Sequence, residues 1–362
     1  MSSTESVSPH DVIVCACGTQ EYTARDAIDA AIFRGEFEEK WQTFLCHIAA
    51  EERADELELE LDESAISAAA EEFRYQHDLI TAEETEAWLT NRGLTFEDFS
   101  DYFARQYCVG AIDQRICSDQ IGYTTADPDL RDLFVAELIL SGALEHMTIK
   151  LMWRLAARRA GKEPASEAIA AEKQKFLDRI KIEATRLGQW LKALGRDSQW
   201  LNEMLAIEAA YGTHCDGLLI PASRQRELMA LRLRLTRFEI ELIELESRDA
   251  AKEALFCVHE DGMSMEEVAI DGRYPYRRVD ILLEDLPAET QQKFVSASPG
   301  DMLEPMSRGD GFELCRIIKK VEPRLEDPTV KSRIDQRLLN YYFSDLTTKY
   351  TSPRLCVPAS VE

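Results

Sequence analysis

The chain has 362 residues, 45% of them hydrophobic and 30% charged, which is enough for about two or three domains of ordinary size with full cores. Its formal net charge of −25 and pI of about 4.7 exclude the basic face that phosphate binding requires, so nucleic acid is not an expected partner. No stretch approaches the roughly 20 apolar residues of a membrane span, and Met1 to Pro9 with the short run Val12 to Cys17 does not lead a basic segment into an apolar one. A cytoplasmic location without a membrane span is therefore expected.

Nine cysteines, an odd number without paired short spacings, fit reduced thiols better than a disulfide framework. Cys15 and Cys17 have the spacing of half a metal site or of two small core residues. With six scattered histidines the second is the expectation, and no metal or cofactor is implied.

Taken in chain order, Thr23 is predicted to cap a helix three residues before Asp26, with Ala27, Ala30, Ala31 and Phe33 on one face and Gly35 at its end. A helix over Phe37 to Ala50 follows, then the acidic run Glu51 to Glu63, read as a solvated face or loop. Ser64 to Leu79 is helical. Thr81 and Glu84 form a capping box, Trp88 and Leu89 face a core, and Asn91-Arg92-Gly93 stops that helix. Thr95 to Asp98 starts another, with Phe96, Phe99, Phe103 and Tyr107 on one face running to about Ile121.

The order recurs. Gly142, Ala156-Ala157, Phe176, Trp190-Leu191 and Gly195 follow one another as Gly35, Ala49-Ala50, Phe73, Trp88-Leu89 and Gly93 do, at offsets between 102 and 107. This suggests a duplicated helical module with a boundary near Thr124 to Asp129, where Pro128 interrupts the helices.

After Gly217 the pattern changes. Thr236 to Glu246 alternates apolar and acidic residues as a half-buried strand does. Helices over Arg248 to Val258 and Met265 to Ala269, a strand at Arg277 to Leu283, a helix at Pro287 to Ser296 and a strand at Phe312 to Val321 complete an α+β domain, and Arg324 to Tyr350 is a last helix. The predicted fold class is α+β. It comprises two helical modules at 1–124 and 125–225, an α+β domain at 226–322, and a C-terminal helix and tail at 323–362.

Arg237 to Pro323 resembles a parvulin-type peptidyl-prolyl isomerase domain. The likeness rests on the first strand, the helix with Asp249-Ala250-Ala251, the segment SPGDMLEPM, in which Gly300, Asp301 and Pro305 match the family's turn, and GFELCRII, in which Gly311, Ile317 and Ile318 suit its last strand. Ala65 to Asp113, with FRYQHDLITAEETEAWLTNRGLTFEDF, is similar to the N-terminal chaperone module of SurA-type proteins. The resemblance implies two central histidines beside a pocket for the proline ring. In the register of Gly300 the strand-end histidine falls on Glu313, and no histidine lies between Arg224 and Glu246, where the first-strand one belongs. The pocket's methionine and phenylalanine fall on Leu286 and Thr290.

No catalytic residue is therefore expected. The residues implied to contact a substrate are Leu286, Thr290, Phe294, Met302, Met306, Phe312 and Glu313. Isomerisation requires only that a twisted amide be stabilised in a water-poor pocket, against a barrier of about 18–20 kcal/mol, so losing the pocket's shape matters as much as losing an acid or base. The resemblance then implies a peptide-binding chaperone or accessory protein whose partner is a peptide or unfolded polypeptide, such as a precursor peptide on its way to maturation or export. The alternative is an active isomerase, or a peptide-modifying enzyme on the same scaffold. Outside this domain, residues of catalytic type cluster only at Glu145-His146 and His214-Cys215-Asp216, and chain neighbours usually point apart. A third reading is an adaptor whose acidic helical face docks a basic partner.

Overall fold

Local signals set the helix starts. The Thr23 and Asp26 side chains each bond the other's backbone N–H and open α1 (Ala24–Arg34), and Gly35, at φ 73°, closes it by donating to Ala31 and Ile32 carbonyls. The computed structural model describes residues 8–112, 128–309 and 311–355.

Helix α2 (Phe37–Glu56) runs past Ala50, so the acidic segment read as a solvated face or loop begins as an exposed helix face, because the buried stripe of Trp41, Phe44, Leu45 and Ile48 continues to Ala54. Asp62 caps α3 (Glu63–Gln76), and capping boxes at Thr81/Glu84 and Thr95/Asp98 open α4 (Ala82–Thr90) and α5 (Phe96–Ala111). On α5, Phe99 and Phe103 are buried while Phe96 stays exposed. The expected continuation to Ile121 lies outside the described residues from 113 onward, as does most of the expected boundary at Thr124 to Asp129. The chain continues as α6 (Pro128–Leu140), α7 (Ala143–Ala160), α8 (Ser166–Ile180), α9 (Leu187–Ala193), α10 (Ser198–Leu218) and α11 (Pro221–Ala230).

Two short strands precede all of these, β1 (Ile13–Cys17) and β2 (Gln20–Thr23). Further along lie β3 (Arg237–Leu245), α12 (Arg248–His259), α13 (Met265–Gly272), β4 (Tyr276–Leu282), α14 (Ala288–Ser296), β5 (Met306–Arg308) and β6 (Gly311–Val321). Helix α15 (Pro328–Tyr350) and strand β7 (Thr351–Pro353) end the described chain. Helix α15 starts at Pro328 and not at the expected Arg324, because the Asp327 carboxylate accepts the Thr329 and Val330 N–H groups and proline suits the first helical turn.

The chain divides into two compact units, Met1–Cys215 with Tyr342–Glu362, and Asp216–Tyr341. Both expected helical blocks fall in the first unit apart from the last residues of the second block. Most of the region expected at 323–362 is helix, and the division falls within it. The first unit contains α1 to α9, most of α10 and a sheet ordered β2-β1-β7. In that sheet Cys15 is fully buried, and burial pushes its thiol up to about 12.

The second unit is built on an antiparallel sheet ordered β4-β3-β6-β5. Strand alternation gives it a core on each face. Phe238, Ile240 and Leu242 join Cys315, Ile317 and Phe294 on the face covered by α14, whereas Ile243, Leu245 and Leu314 join Ala251, Met265 and Val268 from α12 and α13.

Candidate functional site

The face of the sheet covered by α14 changes character along its length. On β3 it carries Phe238, Ile240, Leu242 and then Glu244, and on β6 Ile317, Cys315 and then Glu313. The register sets Ile240 against Ile317, Leu242 against Cys315 and Glu244 against Glu313. Two carboxylates thus stand directly opposite each other, an unfavourable pairing unless something compensates it. The outer strands supply the compensation. Arg277 of β4 pairs with Glu244, and Arg308 of β5 pairs with Glu313. The result is an Arg–Glu–Glu–Arg row across the four strands in their spatial order.

Glu313 is buried, at 9% exposure, while Arg308 keeps its side chain 66% exposed. The pairing with Glu313 raises the Arg308 pKa further. A cleft of about 590 Å³ surrounds the row, and Arg273, Glu246, Tyr274 and Phe312 also line it. Its charged groups are matched in sign, and its mixture of donors, acceptors and two rings suits the main chain and side chains of a polypeptide. Leu245 and Pro275 also belong to its lining, which mixes charged and apolar groups.

The residues implied to contact substrate are divided by the sheet. Leu286 and Met306 pack against the apolar part of the α14 face, and Met306 is the register partner of Glu313. Phe294 is fully buried there, edge-on to Phe238 at 5.3 Å, and shapes the core instead of lining a surface. Thr290 is half-buried on the first turn of α14. Met302 and Phe312 pack with the core of the opposite face. Residues 312 and 313 are neighbours on a strand and must point to opposite sides.

Arg277, Arg308, Glu244 and Tyr274 were not anticipated. Arg308 stands beside the turn glycines Gly309 and Gly311, which signal a hairpin, but nothing local reveals that its partner is Glu313. Between the charged row and the apolar core, the Cys315 thiol is pushed up to about 12 by burial and by the charge of Glu313, so it is not a ready nucleophile.

The two other clusters resolve into local contacts. The Nδ1 of His214 lies 2.5 Å from the Tyr342 hydroxyl, and the Nδ1 of His146 lies 3.0 Å from the Gly142 carbonyl of its own helix. Among the described residues no group of three or more His, Cys, Asp or Glu side chains is placed to hold a metal ion, and no helix is long and apolar enough to cross a membrane.

No family model matches this sequence, and no curated protein matches it. Solved structures do. The foldase protein PrsA of Lactococcus lactis matches at 10% identity over 94% of each chain, with a TM-score of 0.28. The peptidylprolyl isomerase PrsA of Bacillus anthracis matches at 12% identity with a TM-score of 0.32, over 56% of this chain and 94% of its own. A SurA-like chaperone of Campylobacter jejuni matches at 10% identity with a TM-score of 0.22, over 60% of this chain and 89% of its own. The chain is structurally similar to PrsA- and SurA-like parvulin foldases, at 10% to 12% sequence identity.

Proposed function

We propose that this chain is a peptide-holding chaperone or accessory protein that binds an extended polypeptide without accelerating prolyl isomerisation. The observation that carries this reading is Glu313, buried and paired with Arg308 at the position where the parvulin resemblance implies a histidine. A twisted amide is stabilised by an apolar, water-poor surround. A row of four ionised groups keeps water close, and an apolar ring placed over it desolvates charge without return.

The client we favour is a precursor peptide held in the cytoplasm for maturation or export, a reading supported by the resemblance and by a cleft whose arginines and glutamates match charged peptide side chains. Purification from the native host is expected to bring down a short leader-bearing peptide, and recovery of the protein alone would count against that client.

The mechanism is tested by a protease-coupled assay on a panel of Xaa-Pro peptides, with an active parvulin as control and a Glu313→His, Thr290→Phe double variant alongside. The native chain is expected to bind the peptides and leave their isomerisation rate unchanged. Acceleration comparable to the control overturns the reading and makes the chain a working foldase.

A further inference from the structure

The first unit repeats itself in order. Gly35, between α1 and α2, and Gly142, between α6 and α7, both have φ 73°, and Gly93 and Gly195 have 67° and 68°. The step of 107 residues from Gly35 to Gly142 sets α1 against α6 and α2 against α7, and the step of 102 from Gly93 to Gly195 sets α5 against α10. The two glycine joints are thus equivalent in the repeat, yet they differ in charge.

At the Gly142 joint the Glu137 carboxylate of α6 is buried, its side chain 7% exposed, and it meets His47 of α2 and Arg105 of α5. Arg105 reaches Glu51 as well. Ser141 precedes the glycine.

At the Gly35 joint, fully buried Ala30 stands where the other joint has Glu137, and Arg34 stands where it has Ser141. Arg154 of α7 takes the place of His47, Lys150 that of Thr43, and Glu208 of α10 that of Gln106. The Arg34 side chain is only 4% exposed. Its Nη2 donates to Glu36 at 3.1 Å, and Lys150 shares that carboxylate at 3.2 Å. Arg154 donates to Glu208 at 2.7 Å. The Nε and Nη1 atoms of Arg34 are buried with no hydrogen-bond partner among the described residues. The last carbonyls of α1 are taken by other groups, those of Ala31 and Ile32 by the N–H groups of Gly35 and Glu36, and that of Phe33 by Arg179 at 2.6 Å.

Three cations, Arg34, Arg154 and Lys150, are therefore set against two carboxylates, Glu36 and Glu208. Burial works against the Arg34 cation, and so does the charge of Arg154. Arg179, the other cation at this end of α1, has its own carboxylate in Glu172, 3.8 Å away. Water can accept from Nε and Nη1 but leaves the excess charge in place, and a buried charge is tolerated when it is paired. Ser141 shows that the joint itself closes without an arginine.

We propose that the Gly35 joint binds a small monovalent anion between Arg34 and Arg154, in the part that the Glu137 carboxylate plays at the Gly142 joint. The single excess charge sets the valence, and the carboxylate group it replaces sets the size. The ion fastens the end of α1 and the start of α2 to α7 and α10, so the stability of the unit depends on anions. The site is independent of the peptide-holding reading of the chain.

All five tryptophans lie in the first unit, so urea unfolding of the full chain followed by tryptophan fluorescence reports on that unit. The probe is sodium chloride, replacing sodium isethionate, whose anion is bulky, at fixed ionic strength. The native chain is expected to gain stability in a saturable way, the folding equilibrium shifting about a hundredfold when chloride reaches about a hundred times its dissociation constant. Two variants remove the effect by different routes. Arg34→Ser installs the residue of the other joint and deletes the excess cation, and Ala30→Glu installs the other joint's carboxylate. Both are expected to be equally stable in the two salts. If the native chain is equally stable in both, water serves the two N–H groups and the proposal falls. It falls too if Arg34→Ser keeps the chloride effect, which then arises elsewhere on the chain. Should Ala30→Glu fail to fold at its buried position, the native chain and Arg34→Ser decide the matter.

Discussion

Arg196 ties the two halves of the helical unit together, and removing its charge has a calculable cost. Its guanidinium reaches Asp29 at 2.5 Å and Asp26 at 3.0 Å, both on α1. The Asp29 side chain is 8% exposed and that of Arg196 20%. Burial pushes the Asp29 carboxyl above its usual range, and the charge and hydrogen bond of Arg196 offset that only in part. Arg196→Met keeps the apolar stem and deletes the charge. Breaking a buried pair from one side costs about 3–5 kcal/mol. Arg25, 4.0 Å from Asp29, retains some compensation, so about 2–3 kcal/mol is expected at pH 7.

The pH dependence follows from the direction of the shift. A carboxyl whose folded pKa lies above its unfolded value stabilises the fold fully at low pH and loses that contribution as pH rises through the folded pKa. Without Arg196 the loss is deeper, so the gap between native and variant is widest at pH 7 and narrows toward about pH 4. Adding Asp29→Asn to Arg196→Met is expected to recover most of the loss at pH 7. Urea unfolding followed by tryptophan fluorescence at pH 7 and at pH 4.5 measures both effects. A loss below about 0.5 kcal/mol at pH 7, or a gap that grows on acidification, refutes the reasoning.

In the second unit, Phe294→Ala removes a fully buried ring and its edge contact with Phe238, and is expected to lower the unit's stability by about 3–5 kcal/mol in urea unfolding; a loss under 1 kcal/mol would mean that the α14 face is not packed as described. Gly311→Ala places a methyl group 2.8 Å from the Leu245 carbonyl oxygen, so the β5–β6 hairpin must shift at a cost of about 1–3 kcal/mol, and a neutral result in the same assay rules out that close approach. Cys15 and Cys315, whose thiols burial pushes up to about 12, are expected to stay unmodified by iodoacetamide at pH 7.5 in the folded protein; mass spectrometry showing either labelled within minutes would contradict their placement.

What could be read from the sequence was mostly local. The boxes at Thr23/Asp26, Thr81/Glu84 and Thr95/Asp98 are complete within four residues, and all three open helices. The alternation in Thr236 to Glu246 likewise needs no distant partner. How far α2 runs into the acidic segment was not legible, because Glu51 is held by Arg105 from 54 positions away and the stripe that keeps α2 helical packs against other helices. Strand β1 pairs with β7 across nearly the whole chain, a connection no local pattern contains. At the site, the placement of Phe312 was recoverable, since strand alternation alone separates it from Glu313. The partners of Glu313 were not, because Arg308 reaches it through hairpin register and Glu244 through the pairing of β3 with β6.

On the proposed peptide-holding reading, one sheet face serves two purposes. Its apolar half, from Phe238 to Leu242, is closed by α14 and contributes stability. Its ionic half is held in a state that binding need not create. Glu313 is already desolvated by the fold and neutralised by Arg308, so a ligand need not bury that carboxylate again. Arg277 and Arg308, 50% and 66% exposed, remain hydrated and able to turn. A polypeptide laid along the row can exchange water on those two guanidinium groups for its own carboxylates and carbonyls at little desolvation cost, because the groups are never fully dried. A prolyl ring would have to dry them. On the proposed reading, the same four residues favour holding a charged, extended chain over the enclosure that isomerisation needs.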